Sequence, residues 1–397
     1  MDYVQNAFYD ATHWNRDNSY GSLTATARAL LDFDTPRGLR LNVSSLSSPN
    51  FATSYTLGSI GVVDGSLSYL YSSLPIKETS KSGEIELRHV IQGYRQLQEL
   101  RRPDEQWWWE EWHQGKRVDK RDALLYGRLF LPHSTLEALY LRRISPTQQL
   151  KITSVSDSRL KSGGTILALF QHDTGKYSTE YLYSTDSALL GIRGLYNFGP
   201  DPRARAPSYT TAATTPTSPS AATLPSPSEG LHGRFSAGAE LYYGLLNKSG
   251  GVSTGIRFAT LPRHTGFPYT MTLNLNPLMG NLSCTYAVQA APSLALCSRF
   301  DFNVYSYESD LQLGVELWRR RRKPDALDWA RAKPGSKRKG DDGVAGVLKA
   351  RVNQDWAVGV LWEGRLKDLL YTGGVTLDFR RRESPFRAVG LELQYSS

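Results

Sequence analysis

Cysteine and histidine, the side chains that most often carry metal or nucleophilic chemistry, are sparse in this sequence and wrongly spaced for either. The thiols are Cys284 and Cys297, which we place in strands, and the seven histidines show no HxxxH or HExxH spacing. A metal site needs three or four such ligands. The sequence also lacks a phosphate-binding glycine loop, a nucleophile elbow and a dinucleotide fingerprint. We therefore predict no enzymatic activity, no metal and no cofactor.

A basic run carries nearly all of the net charge. Ten lysines and arginines lie between Arg319 and Lys339 against Asp325 and Asp328, which gives +8 of the formal +9. Such a run could bind nucleic acid, act as a nuclear signal or contact anionic lipid headgroups. We interpret it as a solvated loop and predict no nucleic-acid partner.

The elements that position the remaining residues are predicted to be β-strands, because apolar and polar residues alternate with period two from Leu23 to Tyr395. The pattern begins in Leu23–Phe33, continues in Leu39–Val43, and recurs in about 20 runs joined mostly by short turns. Mean hydropathy is −0.42, and the absence of a continuous stretch of about 18 apolar residues excludes a transmembrane helix. A barrel strand instead crosses with about 9 to 11 residues, every second one apolar.

Charged residues inside these runs favour a transmembrane barrel over a soluble sandwich or propeller, which alternation alone fits equally well. They occupy the polar phase, and the unbroken meander suits an up-and-down antiparallel barrel. Aromatic pairs in the apolar phase, Trp356 with Trp362 and Tyr371 with Phe379, have the spacing of membrane-interface girdles. The polar-phase charges are Arg28, Arg40, Glu180, Arg193, Glu240, Arg257, Arg299, Asp301, Glu316, Lys349, Arg351, Asp378 and Glu392.

The chain is predicted to consist of a short amphipathic N-terminal helix within residues 1–20 and one barrel domain over residues 21–397. Three insertions are expected outside the membrane, since irregular backbone facing lipid would leave its polar groups unsatisfied. The first contains a predicted charged helix, Glu84–Leu100. The second is rich in Pro, Ser, Thr and Ala and is predicted to be disordered, and the third is the basic run. They span residues 77–121, 200–229 and 319–343.

Several long segments resemble the fungal mitochondrial distribution and morphology protein 10 family, and the similarity extends along essentially the whole chain. The resemblance implies a mitochondrial outer-membrane barrel of the porin superfamily with 19 strands, so that one of the predicted strands must be wrong and the first and last strands are parallel. The segments are GLRLNVSSLSSPNFATSYTLGSIGVVDGSLSYLYSS, PYTMTLNLNPLMG, RFDFNVYSYESDLQLGVELW and PFRAVGLELQYSS.

The resemblance further implies an integral, multi-pass protein at contact sites with the endoplasmic reticulum (ER). One implied membership is the ER–mitochondria encounter structure, where the barrel would anchor soluble lipid-transfer subunits and an ER-anchored subunit for phospholipid exchange. The other is the sorting and assembly machinery, where it would meet the core barrel and import translocase subunits. Membrane phospholipids are the remaining expected partners.

Mitochondrial barrels of this kind carry a C-terminal insertion signal of the form polar-x-Gly-x-x-hydrophobic-x-hydrophobic. On the last strand Gly390, Leu393 and Tyr395 fit, but Ala388 replaces the polar residue. The preceding strand fits at every position. We prefer the final strand, because position at the chain end matters for recognition. The alternative signal consists of Thr372, Gly374, Leu377 and Phe379.

The resemblance also suggests partner-binding residues. Tyr69 and Tyr71 share one strand face and are candidates for contacting the assembly machinery, and Phe300 and Phe302 are candidates for the tether subunits. For each, the alternative is an aromatic residue that simply faces lipid or belongs to a girdle.

Two other functions remain open from the sequence. Polar-phase charges lining a lumen would also suit a voltage-dependent anion channel-like metabolite pore. A soluble propeller or sandwich that binds nucleic acid through the basic run would show the same alternation. The long insertions, which a plain pore does not need, favour a scaffold that recruits partners.

Overall fold

The structure is a computed structural model that describes most of the chain. Among the helices within these residues, none is long and apolar enough to cross a membrane. The described residues are 2–60, 62–75, 82–83, 85–100, 110–113, 116–119, 122–160, 162–199, 232–262, 264–320, 344–380 and 385–396.

Nineteen strands form one closed barrel, as the family resemblance implied. Every pair of neighbouring strands is antiparallel except at the closure, where β1 lies parallel to β21 from Gly38 opposite Gly390 to Ser44 opposite Ser396. The strands are β1 (Gly38–Ser48), β2 (Phe51–Ile60), β3 (Val62–Ser72), β6 (Ala123–Leu131), β7 (Thr135–Ser145), β8 (Gln148–Ser156), β9 (Gly164–Asp173), β10 (Tyr177–Ser184), β11 (Leu189–Asn197), β12 (Gly233–Gly244), β13 (Ser249–Thr260), β14 (Tyr269–Asn276), β15 (Asn281–Ala291), β16 (Leu294–Asn303), β17 (Ser309–Arg320), β18 (Val344–Asn353), β19 (Ala357–Leu366), β20 (Leu369–Asp378) and β21 (Phe386–Ser396). A separate hairpin, β4 (Glu110–His113) with β5 (Lys116–Asp119), lies between β3 and β6.

The alternation predicts correctly which side chains face outward. On β14, Met271, Leu273 and Leu275 are 40 to 48% exposed, whereas Thr270 and Thr272 are buried on the lumen side. The same apolar-out pattern recurs around the wall. A soluble barrel would bury this face, so the exposed apolar surface is the one expected to contact lipid.

The first predicted strand, Leu23–Phe33, is wrong. Its centre is a helix, α2 (Ala25–Leu31), that packs inside the barrel. Ala27, Leu30 and Leu31 also satisfy the i, i+3, i+4 spacing of a helix, and alanine is the best helix former. The polar-phase Arg28 is therefore a helix residue. Removing this strand reduces the predicted count of about 20 to the observed 19.

The predicted charged helix Glu84–Leu100 is also mostly wrong. Only α3 (Leu87–Val90) is helical, and residues 92–100 form no helix. A side chain at Gly93 would come within 2.6 Å of the Glu316 carboxylate, so the backbone itself lies against the wall there. The expectation that the whole insertion 77–121 lies outside the membrane is therefore wrong for residues 85–100, which pack inside the barrel because Leu87 and Ile91 are buried there.

The predicted N-terminal helix is confirmed as α1 (Asp2–Ala11). Phe8 is buried against Leu70, Leu124 and Leu141 of the wall. Two girdle residues need correction: Trp356 lies in the turn before β19 with φ of +58°, and Phe379 lies just beyond the end of β20, rather than on the strands.

Because the strands alternate in direction, their connections lie on two rims. All three insertions follow β3, β11 and β17, which end at the same rim, and we call it the insertion rim. Strand β21 also ends there. The opposite edge, with short connections only, is the turn rim. The predicted disorder of residues 200–229 lies outside the described residues. Arg320 is the last residue of β17, and the part of the basic run that follows it also lies outside the described residues.

Candidate functional site

Two stretches of the chain pack inside the lumen. We call residues 2–37 the N-terminal segment and the described residues of 82–100 the strap. The N-terminal segment starts near the insertion rim, where α1 contacts the ends of β3, β6 and β7. It then follows the inner wall to α2, which packs on β15 to β17, and joins β1 at the turn rim. The lumen of this barrel is therefore not a clear passage.

Polar contacts hold the N-terminal segment along its length. The Arg143 guanidinium donates to the Thr12 carbonyl oxygen. The Asn18 amide accepts from Asn197 at 2.7 Å. Beyond α2, the Thr35 hydroxyl lies 2.9 Å from that of Thr376. Because these contacts satisfy polar groups of both the segment and the wall, the lumen contents have a defined register.

The strap packs against the wall by burial and by hydrogen bonds to its backbone. Leu87 and Ile91 join an apolar cluster with Val344, Val347 and Leu370. Cationic side chains of the wall also donate hydrogen bonds to backbone carbonyl oxygens of the strap. Lys349 donates to Gln92, and Arg365 donates to Ile85 at 2.7 Å. The strap, which is mostly without regular secondary structure, is thus anchored to the wall both by apolar side-chain contacts and by hydrogen bonds to its backbone.

An ion pair joins the two lumen segments to each other. Arg95 of the strap donates to the carboxylate of Asp17 in the N-terminal segment. The strap also reaches β12, where Arg234 Nη1 donates to the Gln98 carbonyl oxygen at 3.1 Å. The strap therefore spans from the β18–β20 wall to the β12 wall and contacts the N-terminal segment on the way.

The strand charges predicted in the polar phase face this interior. Arg193 on β11 lies opposite Glu180 and Glu240 on the neighbouring strands, at 3.5 and 3.3 Å. Leaving one of these charges buried without its partner would cost several kcal/mol, so the pairing limits the cost of placing charges on the inner wall. Within the described part of the chain, no group of three or more His, Cys, Asp or Glu residues could hold a metal ion.

A polar cavity of about 590 Å³ remains between the strap, the N-terminal segment and the wall. Arg16, Asp17 and Arg95 line it from the two lumen segments, and Arg257 and Glu316 line it from the wall. Glu316 accepts from the Tyr94 backbone N–H at 3.2 Å. The cavity's chemistry is thus dominated by guanidinium groups.

The glycines of the two candidate insertion signals lie directly opposite each other. Gly390 on β21 pairs with Gly374 on β20, and both lie beside Pro36, where the N-terminal segment leaves the lumen. A Cβ at Gly390 would overlap the Pro36 carbonyl oxygen and lie 2.7 Å from that of Gly38. Both glycines therefore have a packing role in addition to any role in recognition.

The remaining signal residues divide between the two faces of the wall. Tyr395 is exposed on the outside, and Phe379 is exposed just beyond the end of β20. Leu393 lies opposite Tyr371, and Leu377 lies opposite Phe386. Thr372 lies opposite Glu392.

Tyr69 and Tyr71 lie on the outer face of β3 near the insertion rim, each 47% exposed. Phe51 stacks on Tyr69 with ring centroids 6.1 Å apart. Opposite Tyr69 is Gly127, and no heavy atom lies within 4 Å of where its Cβ would be. The tyrosines therefore border a shallow hollow in the outer wall.

Phe300 and Phe302 lie elsewhere. They are on β16, where Phe300 is exposed on the outer face and Phe302 pairs with Leu282 near the turn rim. The structure does not bring the two aromatic pairs together, so they would belong to separate contact surfaces.

Sequence reasoning missed the residues that fill the lumen. Asp17, Asp32 and Arg95 were not singled out, although each contacts a cation or carboxylate far away in the chain. The sequence could have indicated such contacts, because charged residues such as Glu316 and Lys349, predicted to face a closed interior, need partners there.

Comparison with known proteins gives one family along the whole chain. Residues 1–342 and 336–397 match the family model described as mitochondrial distribution and morphology protein 10. The protein of that name from Phaeosphaeria nodorum is 68% identical, covering 100% of this chain and 99% of the relative. Relatives of the same name from Sclerotinia sclerotiorum and Podospora anserina are 65% and 44% identical, with the same coverage.

Proposed function

The chain belongs to the mitochondrial distribution and morphology protein 10 family, and we propose that it acts as a membrane scaffold rather than as an enzyme or a pore. The family supports a mitochondrial protein with a role in the distribution and morphology of the organelle. The barrel fold suits the outer membrane. We place the scaffold in the ER–mitochondria encounter structure, for tethering and phospholipid exchange, and in the sorting and assembly machinery, for late assembly of barrels and import translocase.

The observation that carries this proposal is that all three insertions leave the barrel at one rim, and that the N-terminal segment and the strap, which is part of the first insertion, fill the lumen. A metabolite pore needs an open lumen and gains nothing from such insertions. A scaffold needs surface outside the membrane for partners. The insertion rim supplies that surface at ER contact sites.

Replacing residues 201–231, and separately 322–342, with a short Gly/Ser linker tests the rim. We expect one or both variants to lose co-purification of the soluble lipid-transfer and ER-anchored subunits while the barrel stays in the membrane. The matched control inserts the same linker between Leu246 and Asn247, in a turn-rim connection. Full retention of partners in both variants would contradict a scaffold role for these insertions.

For the assembly machinery, we propose that Tyr69 and Tyr71 form the contact, supported by the hollow beside them. The Tyr69→Ala/Tyr71→Ala protein should lose the core barrel and import translocase subunits on purification. Tyr181 and Tyr183 on β10 are outward, two positions apart and 51 and 46% exposed. Their alanine variant is therefore a matched control for loss of lipid-facing aromatics. Equal losses from both variants would mean that the Tyr69 surface is not specific.

For the tether subunits, we propose a second contact at Phe300 and Phe302. Phe300→Ala/Phe302→Ala should weaken their co-purification, and Leu190→Ala/Ile192→Ala on β11, whose side chains are 45 and 53% exposed on the outer face away from β16, is the control. Unchanged partners in the phenylalanine variant would reassign these residues to lipid contact.

We propose that insertion is directed by β21, through Gly390, Leu393 and Tyr395, because this strand closes the barrel by pairing with β1. Import of Leu393→Gln/Tyr395→Gln protein into isolated mitochondria should give less assembled barrel than import of Leu377→Gln/Phe379→Gln protein. The reverse order would transfer the signal to Thr372, Gly374, Leu377 and Phe379.

A further inference from the structure

Four arginines from four separate parts of the chain converge inside the lumen. Arg234 and Arg257 face inward from β12 and β13, and they are diagonal neighbours because Ser236 lies opposite Arg257. Such diagonal positions are about 7 to 8 Å apart. Arg16 of the N-terminal segment and Arg95 of the strap line the same cavity as Arg257.

The hydrogen bonds of the two wall arginines are incomplete. Arg257 is 2% exposed and donates to the Ser22 and Asp17 carbonyl oxygens, both at 3.2 Å. Arg234 is 5% exposed and donates through Nη1 to Gln98. Arg257 Nε and both Nε and Nη2 of Arg234 are buried without a hydrogen-bond partner in the part of the chain that the structure describes. Buried guanidinium donors normally have partners.

Nearby carboxylates do not balance the four positive charges. Asp17 pairs with Arg95. Asp173 accepts from the Asn18 amide at 2.5 Å and from the Gly175 N–H at 2.7 Å. Around the cavity itself, the two lining acids Asp17 and Glu316 are outnumbered by four arginines, which are Arg16, Arg88, Arg95 and Arg257. Burial, followed by the charge of Arg95, lowers the pKa of the Arg16 guanidinium.

We propose that this cluster binds the phosphate group of an anionic ligand, with Arg16, Arg95 and Arg257, which line one cavity, as its donors. Guanidinium groups match phosphate oxygens geometrically, and charge-assisted hydrogen bonds are the strong ones. Donors arriving from several directions suit a tetrahedral phosphate better than a flat carboxylate. The cavity, about 590 Å³, admits free phosphate or the headgroup of a phospholipid.

A phosphate bound in the cavity would link the N-terminal segment, through Arg16, to the strap, through Arg95, and to β13, through Arg257. Its charge would offset repulsion between Arg234 and Arg257. Binding should therefore stabilise the filled lumen, since a ligand that binds only the folded state raises its stability.

The test uses the full-length protein purified in an uncharged detergent. Titration with inorganic phosphate is followed by calorimetry and by the thermal midpoint. We expect binding that raises this midpoint, weakened at least about tenfold in Arg16→Gln and in Arg257→Gln, which corresponds to about 1.4 kcal/mol per variant. Arg128→Gln is the matched control, because Arg128 also faces the interior but is held by Ser66 and Phe130 on β3 and β6.

A second arm distinguishes the source of the phosphate. Protein reconstituted in vesicles of phosphatidylcholine with or without phosphatidylinositol is extracted, and retained phospholipid is measured. Retention that depends on Arg16 and Arg257 but not on Arg128, without binding of inorganic phosphate, would assign the site to a lipid headgroup. Binding in neither arm, or binding unaffected by Arg16→Gln, would overturn the proposal. Arg16→Gln keeps the test valid if Arg257→Gln does not fold, because Arg16 lies in no strand.

Discussion

Arg299 donates both Nη groups to the two carboxylate oxygens of Asp32, each at 2.8 Å. Asp32 directly follows α2, and Arg299 belongs to β16, so this bidentate pair fixes the end of the helix to the wall. Gln312 Oε1 accepts a further hydrogen bond from the same guanidinium at 2.7 Å. The apolar face of α2 supplies burial, and the ion pair determines where along the wall the helix docks.

Asp32→Ala should therefore loosen α2. Because the pair is partly exposed to solvent, we expect a loss of about 1 to 2 kcal/mol, between the values typical of exposed ion pairs and of buried hydrogen bonds to charged groups. Thermal unfolding in detergent and protease cleavage near residue 30 measure the effect. Asp34→Ala is the control, since Asp34 is two positions further along the same segment. Equal shifts for the two variants would rule out a specific docking role.

The strands were predictable because each wall residue faces one of only two environments. Met271 and Thr272 differ by one position and occupy opposite faces, so period-two alternation determines orientation without tertiary information. The Leu23–Phe33 error has the same origin. A short, alanine-rich run fits both the strand and the helix period, and packing against Ala287 and Cys297 settles it.

The lumen network could not be predicted in the same way. Asp17 and Arg95 are 78 positions apart, and neither lies in a periodic element that would align them. The contact between them depends on the barrel diameter and on where the chain leaves β3 to form the strap. The outward Tyr69 could be placed on its face from sequence, but the hollow at Gly127 depends on the register between β3 and β6.

The outward face of β14 is open to a direct test. Leu273→Arg should cost about 2 to 4 kcal/mol near the middle of the membrane, falling to about 0 to 1 near the interface. Leu278 lies in the turn after the same strand, so Leu278→Arg should change the free energy of unfolding little. Reversible unfolding from lipid vesicles measures both variants. Similar costs would show that β14 is not positioned across the apolar band as described.

Gly390 offers a test of packing against recognition. Gly390→Ala places a methyl group against the Pro36 and Gly38 carbonyls, so we expect a lower thermal midpoint in the purified barrel. At Gly373 the nearest atom to an added Cβ is Leu391 Cδ1 at 3.7 Å, so Gly373→Ala should be tolerated. If Gly390→Ala impairs import but leaves the midpoint unchanged, the packing explanation fails and recognition remains.

The Arg95–Asp17 ion pair tests whether the filled lumen closes the barrel. In planar bilayers the unaltered protein should conduct far less than a channel of similar strand number, because two segments obstruct the passage. Arg95→Asp places two carboxylates together and should release the strap, raising conductance. Adding Asp17→Arg restores an ion pair of reversed polarity and should lower the conductance again. This recovery would show that loss of the ion pair, rather than a general loss of packing, opens the lumen. High conductance in the unaltered protein would instead favour the voltage-dependent anion channel-like pore. A rise that the double variant does not reverse would assign strap closure to its apolar contacts with Val347 and Leu370.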